Sequence, residues 1–276
     1  MEDLSVSMKK IRIGIIADGG DAGGGRTHIL TLCEHLPQDQ FEVFFFSLGE
    51  GKLSHSVELY SQIHTTLYPM KTKLNRQIFR GIADWVKLNK IEIIHSHGLK
   101  ANMYSRIALW RVHIPIITTY HSNPFFDYSH PLFGFIFSLI DQWTIARTNH
   151  FIAVSYEIAT QLLKRGICKE KITIIRNGVP LQDLSSTEEV QGNRRKIRNQ
   201  LNIPENAPVI GTLSRLVKVK GYQEMFKIFL SVLSNSPHKP YLLIIGGGEY
   251  KANLEKLARQ LRIDEYVRFA GFQSNP

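Results

Sequence analysis

The stretch Pro-Val-Ile-Gly-Thr-Leu-Ser-Arg-Leu-Val-Lys-Val-Lys-Gly-Tyr, residues 208–222, decides how this sequence is interpreted. Its apolar first part predicts a strand, and a helical pattern begins near Tyr222. The loop between them carries Arg215 and Lys220 and ends in Gly221. Backbone N–H groups at a helix start carry partial positive charge, and the two side-chain cations would add full charges there. We therefore expect this loop to bind an anion such as a diphosphate, with a solvated basic loop as the alternative.

The alternation of strand and helix signals extends over the whole chain, which is typical of parallel strands joined by helices. The polar stretch 183–206 interrupts it and is predicted to be a linker with a surface helix around Arg194–Leu201. The sequence therefore predicts an α/β fold with two Rossmann-like, doubly wound parallel-sheet domains, residues 1–182 and 207–276, and ligands in the cleft between them. The candidate strands are Ile11–Ala17, Phe41–Ser47, Ile91–His95, Ile114–Thr119, Phe151–Val154, Ile172–Arg176, Val209–Leu213, Tyr241–Ile245 and Val267–Phe272.

The second domain is expected to be incomplete. Its region holds three predicted strands and the sequence stops at Pro276, whereas a doubly wound domain usually has about five or six strands. We therefore expect that this chain alone is not an efficient catalyst, although its first domain should fold.

Composition narrows the class of protein. The 276 residues are 43% hydrophobic and carry a net charge of +10, which is typical of a soluble globular protein that binds anions. The basic excess is spread along the chain without zinc-finger spacing or a basic arm, so nucleic acid is not an expected partner. Two distant cysteines and the absence of a signal-peptide pattern favour the cytoplasm. The most apolar stretch, Phe133–Ile140, falls short of the roughly 20 residues that a membrane span needs.

Two glycine-rich turns follow predicted strands. The first, residues 18–26, includes Gly24 and Gly25, and the second contains Gly246 and Gly248 before Glu249. Glycines let the backbone approach a phosphate closely, but they also build tight turns, so both interpretations stay open. The first turn is not a dinucleotide fingerprint, because His28 occupies the place of the third glycine.

Histidines stand near the predicted strand ends. Residues at the carboxyl ends of parallel strands face the ligand crevice, so His97 and His121 are candidates for ligand contact, with hydrogen-bonded structural imidazoles as the alternative. His95, His97 and His121 could also suggest a metal. No nearby carboxylate completes a catalytic set, however, and neither a metal nor a cofactor is expected.

A basic helix around residues 74–88 has Ile78, Ile82 and Trp85 on one side and Arg76, Arg80 and Lys87 on the other. A solvated face is the default interpretation of such charges. Contact with an anionic membrane surface is the alternative, which would add peripheral attachment at the inner face of the membrane to the cytoplasmic location.

Taken together, these segments resemble retaining glycosyltransferases of the GT-B fold, specifically family 4. The resemblance covers almost the whole chain in collinear order. The matching segments are Gly19–Arg26, Ile93–Gly98, Thr119–His121, Ile152–Ser155, Ile175–Val179, Ser214–Leu216 with Lys220 and Gly221, and Ile245–Gly248.

The resemblance implies a nucleotide-diphosphate sugar as donor and a lipid-linked or saccharide hydroxyl as acceptor, used in cell-surface polysaccharide or glycolipid synthesis. It implies that Arg215 and Lys220 hold the donor diphosphate, with Gly24 and Gly25 also near phosphate, and that His121 lies beside the reacting sugar. Other residues are implied to line the cleft. These are His97, Asn177, Gly246, Gly248 and Glu249.

Two other functions remain as alternatives. The family continues after the last predicted strand with a Glu-x7-Glu element that grips the donor, and this sequence has none. The absence of this element would fit a non-catalytic binding module, either a truncated paralogue or one half of a split enzyme. A sugar-nucleotide epimerase of similar fold is the third interpretation, which the loop from Arg215 to Lys220 disfavours.

Overall fold

A computed structural model describes residues 9–20, 24–69, 76–122, 131–178 and 187–273. The chain divides into two compact units, residues 1–180 and 181–276. Each unit contains its own parallel β-sheet with helices packed on it.

The first unit is built on a seven-stranded sheet with the order β3-β2-β1-β4-β5-β6-β7, and all its neighbouring strands are parallel. The chain runs outward from β1 to β3 and then returns to place β4 on the other side of β1. This reversal creates a topological switch point, where ligands of such folds bind at the carboxyl ends of the strands. The strands are β1 (Ile11–Asp18), β2 (Phe41–Leu48), β3 (Ile63–Tyr68), β4 (Ile93–His97), β5 (Ile116–Tyr120), β6 (His150–Ala153) and β7 (Ile172–Ile174).

Both faces of this sheet are covered, which explains its nearly continuous apolar strands. Alternate residues of a strand point to opposite faces, so Ile16 packs in one core cluster while Ile15 and Ala17 pack in another. Phe44 and Phe45 of β2 divide in the same way. The helices of the first unit are α1 (Gly24–His35), α2 (Lys52–Val57), α3 (Gln77–Leu88), α4 (Leu99–Ala108), α5 (Pro131–Thr144) and α6 (Tyr156–Lys164).

Helix α5 contains the apolar stretch noted in the sequence, and it is only partly covered. Leu132, Phe135, Leu139 and Trp143 are all more than half exposed, and the Trp143 ring stacks on Trp110 with 5.4 Å between centroids. No helix in the described ranges has both the length and the apolar character that crossing a bilayer requires.

The second unit has a three-stranded parallel sheet of order β10-β9-β8. Its core includes Leu216, Tyr222 and Phe226, together with Leu242 and Leu254. Its elements are α7 (Thr187–Gln200), β8 (Val209–Leu213), α8 (Tyr222–Asn235), β9 (Tyr241–Ile245), α9 (Lys251–Gln260) and β10 (Val267–Gly271).

The sequence predicted the α/β class and most strands, and it missed β3. The segment predicted as a linker carries α7, which begins at Thr187 rather than near Arg194. The end of this helix is joined to the second unit, because Arg268 Nε donates to the Leu201 carbonyl at 2.7 Å.

Candidate functional site

The carboxyl ends of β4 and β5 bring together the histidines predicted from the sequence. His97 ends β4, and His121 follows the last residue of β5. His28 on α1 joins them, with its ring centroid 4.9 Å from that of His121 and 5.5 Å from that of His97. The ring of His95 lies 4.1 Å from that of His97. These four residues are called the histidine cluster below.

The imidazoles of the histidine cluster are neutral at pH 7, because removal from water penalises their charged form. Burial lowers the pKa of His95 to about 3 and that of His121 to about 4, and it holds the pKa of His97 well below its usual range. The neighbouring histidines add to these shifts, since a second positive charge nearby would be repelled. Burial also lowers the pKa of His28, opposed by a hydrogen bond with Asn177. The cluster therefore offers uncharged donors and acceptors.

The hydrogen bonds of the histidine cluster are incomplete. His95 Nε2 lies 2.8 Å from Thr119 Oγ1, and His97 Nδ1 lies 3.3 Å from His121 Nε2. His97 Nε2 and His121 Nδ1 are buried, and no described residue offers either of them a partner. An unsatisfied buried polar atom costs about 1–3 kcal/mol, so unused capacity of this kind is more typical of a binding site than of a packed core.

Asn177 reaches the same cluster through its hydrogen bond with His28. Gly24 and Gly25 begin α1, the helix that carries His28. A Cβ added at Gly24 would meet nothing within 4 Å, so packing does not demand a glycine there. Its contact with a ligand stays a prediction, and residues 21–23 of the same loop lie outside the described ranges.

Sequence reasoning missed an ion pair at this edge of the sheet, between Asp18 and Lys100. Asp18 ends β1, and its Oδ2 accepts a hydrogen bond from Lys100 Nζ of α4 at 2.5 Å. Asp18 Oδ1 also accepts the N–H of Gly20 at 3.1 Å. Since Ala17 pairs with His97 across β1 and β4, this ion pair lies close to the histidine cluster and neutralises a cation there. His28 was missed as well, although it stands just after the glycine-rich turn, where the dinucleotide pattern would have its third glycine.

A buried charged network lies behind His121. Asp141 of α5 accepts hydrogen bonds from Arg106 Nη1 at 2.5 Å, Arg165 Nη2 at 2.7 Å and Tyr120 Oη at 2.8 Å. The side chains of Arg106 and Asp141 are fully buried. We call these four residues the Asp141 network. Because Tyr120 directly precedes His121, the network fastens α4, α5 and the end of α6 to the strand end that presents His121.

The predicted anion-binding loop of the second unit is an exposed turn between β8 and α8. Residues 218–220 form a short 3-10 turn, and Gly221 takes a left-handed conformation with φ of 67° before α8 begins at Tyr222. Arg215 and Lys220 are exposed, and no described residue forms a hydrogen bond or ion pair with either side chain. Residues 214–221, called the cation loop below, therefore present Arg215 and Lys220 as uncommitted cations beside a helix N-terminus, and Lys218 between them is exposed as well.

The second glycine-rich turn holds this cation loop in place. Leu216 N donates to the Gly247 carbonyl at 2.9 Å, and Ser214 N donates to the Ile245 carbonyl at 3.1 Å. A Cβ at Gly246 would overlap the Ser214 carbonyl oxygen, and one at Gly248 would overlap the Leu216 carbonyl oxygen. Both glycines also have positive φ, at 140° and 157°. They are therefore required by packing against the cation loop, while Glu249 beside them is exposed.

The predicted site residues thus fall into two groups, one in each unit. His97, His121 and Asn177 meet around His28 in the first unit, near the start of the helix that carries Gly24 and Gly25. Arg215, Lys220, Gly246 and Gly248 meet around the cation loop in the second, with Glu249 at its margin.

Two family profiles match the chain in succession. The profile of glycosyltransferase family 4 covers residues 22–183, more than half of the chain, and that of glycosyl transferases group 1 covers residues 193–276.

Similar proteins and structures agree with these profiles. The alpha-monoglucosyldiacylglycerol synthase of Streptococcus pneumoniae is 26% identical over 95% of this chain, which spans 61% of that protein's length. The O-antigen biosynthesis glycosyltransferase WclY of Escherichia coli is 27% identical over 96% of this chain and 70% of its own length. The crystal structure of Anabaena Alr3699/HepE in complex with UDP-glucose superposes with a TM-score of 0.74 at 19% identity, covering 96% of this chain and 70% of that one. The GT-B fold expected from the sequence is confirmed.

Proposed function

The chain belongs to glycosyltransferase family 4, and from this membership we propose that it transfers a sugar from a nucleotide-diphosphate sugar to a hydroxyl acceptor with retention at the anomeric carbon. In this reaction the bond between the anomeric carbon and the diphosphate breaks, and the acceptor oxygen forms the new bond on the same face. The acceptor hydroxyl gives its proton to an oxygen of the departing diphosphate. The protein must therefore stabilise negative charge that grows on the departing diphosphate.

One observation carries this proposal, namely the cation loop. Arg215 and Lys220 are exposed and uncommitted within the described residues, and they stand next to the N-terminus of α8. Cations and helix N–H groups at one point are complementary to a diphosphate, and no metal ion is needed to neutralise it there. The complex of HepE with UDP-glucose supports a nucleotide sugar as the donor.

We assign His121 to the reacting sugar. Its ring is neutral and partly exposed at a strand end, and one of its nitrogens has no described partner. A neutral imidazole can exchange hydrogen bonds with a sugar hydroxyl without repelling the positive charge that develops on the sugar. His97, His28 and Asn177 hold this ring in place through the contacts described above.

The division of labour between domains is part of the same proposal. We assign acceptor binding mainly to a first domain of residues 1–182, donor binding to residues 207–276, and a connecting role to residues 183–206. The observed units divide near residue 180, which supports this assignment.

We further propose a glycolipid or cell-surface saccharide as the acceptor, because the similar proteins carry the names of a diacylglycerol glycoside synthase and an O-antigen enzyme. A lipid-linked acceptor requires a cytoplasmic enzyme to reach the inner membrane face. Two surfaces of the first unit suit that contact. Arg76, Arg80 and Lys87 are exposed around α3, and the apolar side chains of α5 are exposed with Trp143 among them. The sequence offers one more aromatic pair for membrane contact, Phe125 and Phe126, which lies outside the described ranges.

The proposal is tested by nucleotide binding. Calorimetric titration with UDP and GDP should show that Arg215→Ala weakens the preferred nucleotide by roughly 10- to 150-fold, which corresponds to about 1.5–3 kcal/mol for a lost charge-assisted hydrogen bond.

Lys227→Ala is the matched control, because it removes an exposed cation from α8 outside the cation loop and should leave the affinity unchanged. Equal affinities of the wild type and Arg215→Ala would reject the donor site. Nucleotide binding without any sugar transfer would instead favour the binding-module alternative.

Membrane contact has a separate test. Flotation with vesicles that contain anionic lipid should weaken with added salt and with the triple change of Arg76, Arg80 and Lys87 to Glu. Trp143→Ala should weaken it at every salt concentration, since that contribution is apolar. If the protein does not float with the vesicles, neither the basic side of α3 nor the apolar side of α5 is a membrane-binding surface.

A further inference from the structure

Three members of the histidine cluster are arranged as metal ligands. His28, His97 and His121 can each offer one ring nitrogen so that the three nitrogens lie within 4.8 Å of one another. Zinc holds imidazole nitrogens at about 2.0–2.1 Å in a tetrahedron, which places two such nitrogens about 3.4 Å apart. His97 Nδ1 and His121 Nε2 are already 3.3 Å apart. We propose that these three histidines bind a divalent transition-metal ion, with Zn²⁺ as the best match.

The chemistry of the facing nitrogens supports this site. A neutral imidazole has one N–H and one bare nitrogen. When His97 and His121 carry their protons on the outer atoms, His97 Nε2 and His121 Nδ1, two bare nitrogens face each other across 3.3 Å. Two lone pairs in that position repel, and a shared cation is complementary to both. His97 is only 1% exposed, so its nitrogen cannot turn to water instead.

His28 has the support that a metal-ligating histidine usually has. Such a ligand commonly hydrogen-bonds through its second ring nitrogen to an oxygen, which fixes the ring and its tautomer. The side chain of Asn177 is the hydrogen-bond partner of His28. Both His28 and His121 are partly exposed, so an ion can enter and a further ligand can complete its coordination.

The new element is His28. From the sequence, His95, His97 and His121 were the candidate ligands, and no metal was expected because no carboxylate near them completes a catalytic set. The structure replaces His95 with His28 in the set, because His95 Nε2 is occupied by Thr119. Three imidazoles with an open fourth position form a complete zinc site without any carboxylate.

This site has a consequence for activity, although the inference does not depend on the proposed function. A metal ion bound to His121 Nε2 would fix the ring that the proposed function places beside the reacting sugar, and it would add positive charge there. Zn²⁺ is therefore expected to act as a reversible inhibitor of transfer.

The experiment uses the full chain without an affinity tag, stripped of metal and carrying Cys168→Ser, because an exposed thiol such as that of Cys168 can itself bind zinc. Titration with Co²⁺ should give visible ligand-field bands that saturate at one equivalent, and Zn²⁺ should displace them. His97→Gln and His121→Gln should each weaken binding by at least about 100-fold, and Asn177→Ala by about 10-fold.

Two readouts keep the result independent of folding and of turnover. All three tryptophans, Trp85, Trp110 and Trp143, lie in the first unit, so tryptophan fluorescence reports whether each variant keeps that unit folded. Zn²⁺ should raise the unfolding midpoint in the wild type and in His113→Gln, which changes an exposed histidine elsewhere in this unit. Failure to bind Co²⁺ at one equivalent, or unchanged binding in a folded His97→Gln, would overturn the proposal.

Discussion

The histidine cluster of the first unit and the cation loop of the second are both sets of polar side chains at the carboxyl ends of parallel strands, yet they differ in every physical respect. The cluster is largely buried, neutral and short of hydrogen-bond partners. The cation loop is exposed and charged, and the backbone N–H groups of Ser214 and Leu216 tie it to the neighbouring turn. The histidine cluster has buried nitrogen atoms without hydrogen-bond partners among the described residues, whereas the charges of the cation loop are exposed to solvent.

The difference predicts how substitutions in each region should divide between ligand affinity and protein stability. Water solvates Arg215 and Lys220 in the free protein, so their substitution should affect affinity and leave stability alone. The strand end that presents His121 is held by the buried Asp141 network, so changes in that network should affect folding first. Free energies of unfolding should therefore separate the two regions.

The largest effect is expected from Asp141→Ala. It leaves the buried Arg106 guanidinium without its carboxylate, and loss of one partner of a buried ion pair costs about 3–5 kcal/mol. Urea unfolding followed by tryptophan fluorescence measures the free energy of unfolding of the first unit. Asp84→Ala, an exposed position on α3, serves as the control and should change it by less than about 0.5 kcal/mol. If Asp141→Ala lowered the free energy of unfolding no more than the control does, the buried network would not be what stabilises the first unit.

Gly246→Ala should have the next largest effect, about 2–3 kcal/mol, because its Cβ would overlap the Ser214 carbonyl at a positive φ. Here the exposed region would show a stability cost, but through its backbone rather than its charges. Hydrogen exchange of α8 and β9 peptides measures it. Gly211→Ala is matched, since an added Cβ there meets nothing within 4 Å. Equal exchange in both variants would contradict the role assigned to Gly246.

His121→Ala should change the unfolding free energy by less than about 1 kcal/mol while lowering turnover by roughly 10- to 100-fold, since it removes a hydrogen-bonding ring at a partly exposed strand end. Measurements in the presence of a chelator exclude any contribution of bound metal. A collapse of stability would show that His121 is a structural imidazole, as the alternative interpretation of the sequence held.

The smallest stability effect is expected from Arg215→Ala, below about 0.5 kcal/mol in the second unit, because this exposed side chain has no described partner. The same hydrogen-exchange experiment measures it. A larger destabilisation would mean that the charge serves folding, and the contrast between the two regions would disappear.

Local patterns were sufficient to predict much of the second unit. The strands Val209–Leu213 and Tyr241–Ile245 are confirmed with the predicted bounds, because each is a mainly apolar run that begins directly after a proline. β3 was missed because its residues, from Ile63 to Tyr68, include the polar His64, Thr65 and Thr66, and at the sheet edge only Ile63 is buried. α4 was expected only as a helix between two strands, without bounds, because the buried polar residues Asn102, Ser105 and Arg106 interrupt its apolar pattern.

The candidate site was predictable only in part, for a related reason. His97 and His121 follow apolar strands, and strand ends of a parallel sheet share one edge, so their proximity could be expected. His28 lies on a helix about 70 residues before His97, and only the three-dimensional path of the chain brings the rings together. The Asp141 network joins four segments in the same way, and no local pattern marks a carboxylate that will be fully buried.

The Asp141 network also fixes the distance between the exposed face of α5 and His121. Asp141 sits on the helix whose apolar side chains are exposed, and it is bonded to the tyrosine that precedes His121. Helix α5 cannot slide or tilt without breaking those bonds, so it behaves as a rigid strut rather than a floating anchor. Any surface that the exposed side chains of α5 contact is therefore held at a fixed distance from His121. The Asp141 network sets that distance.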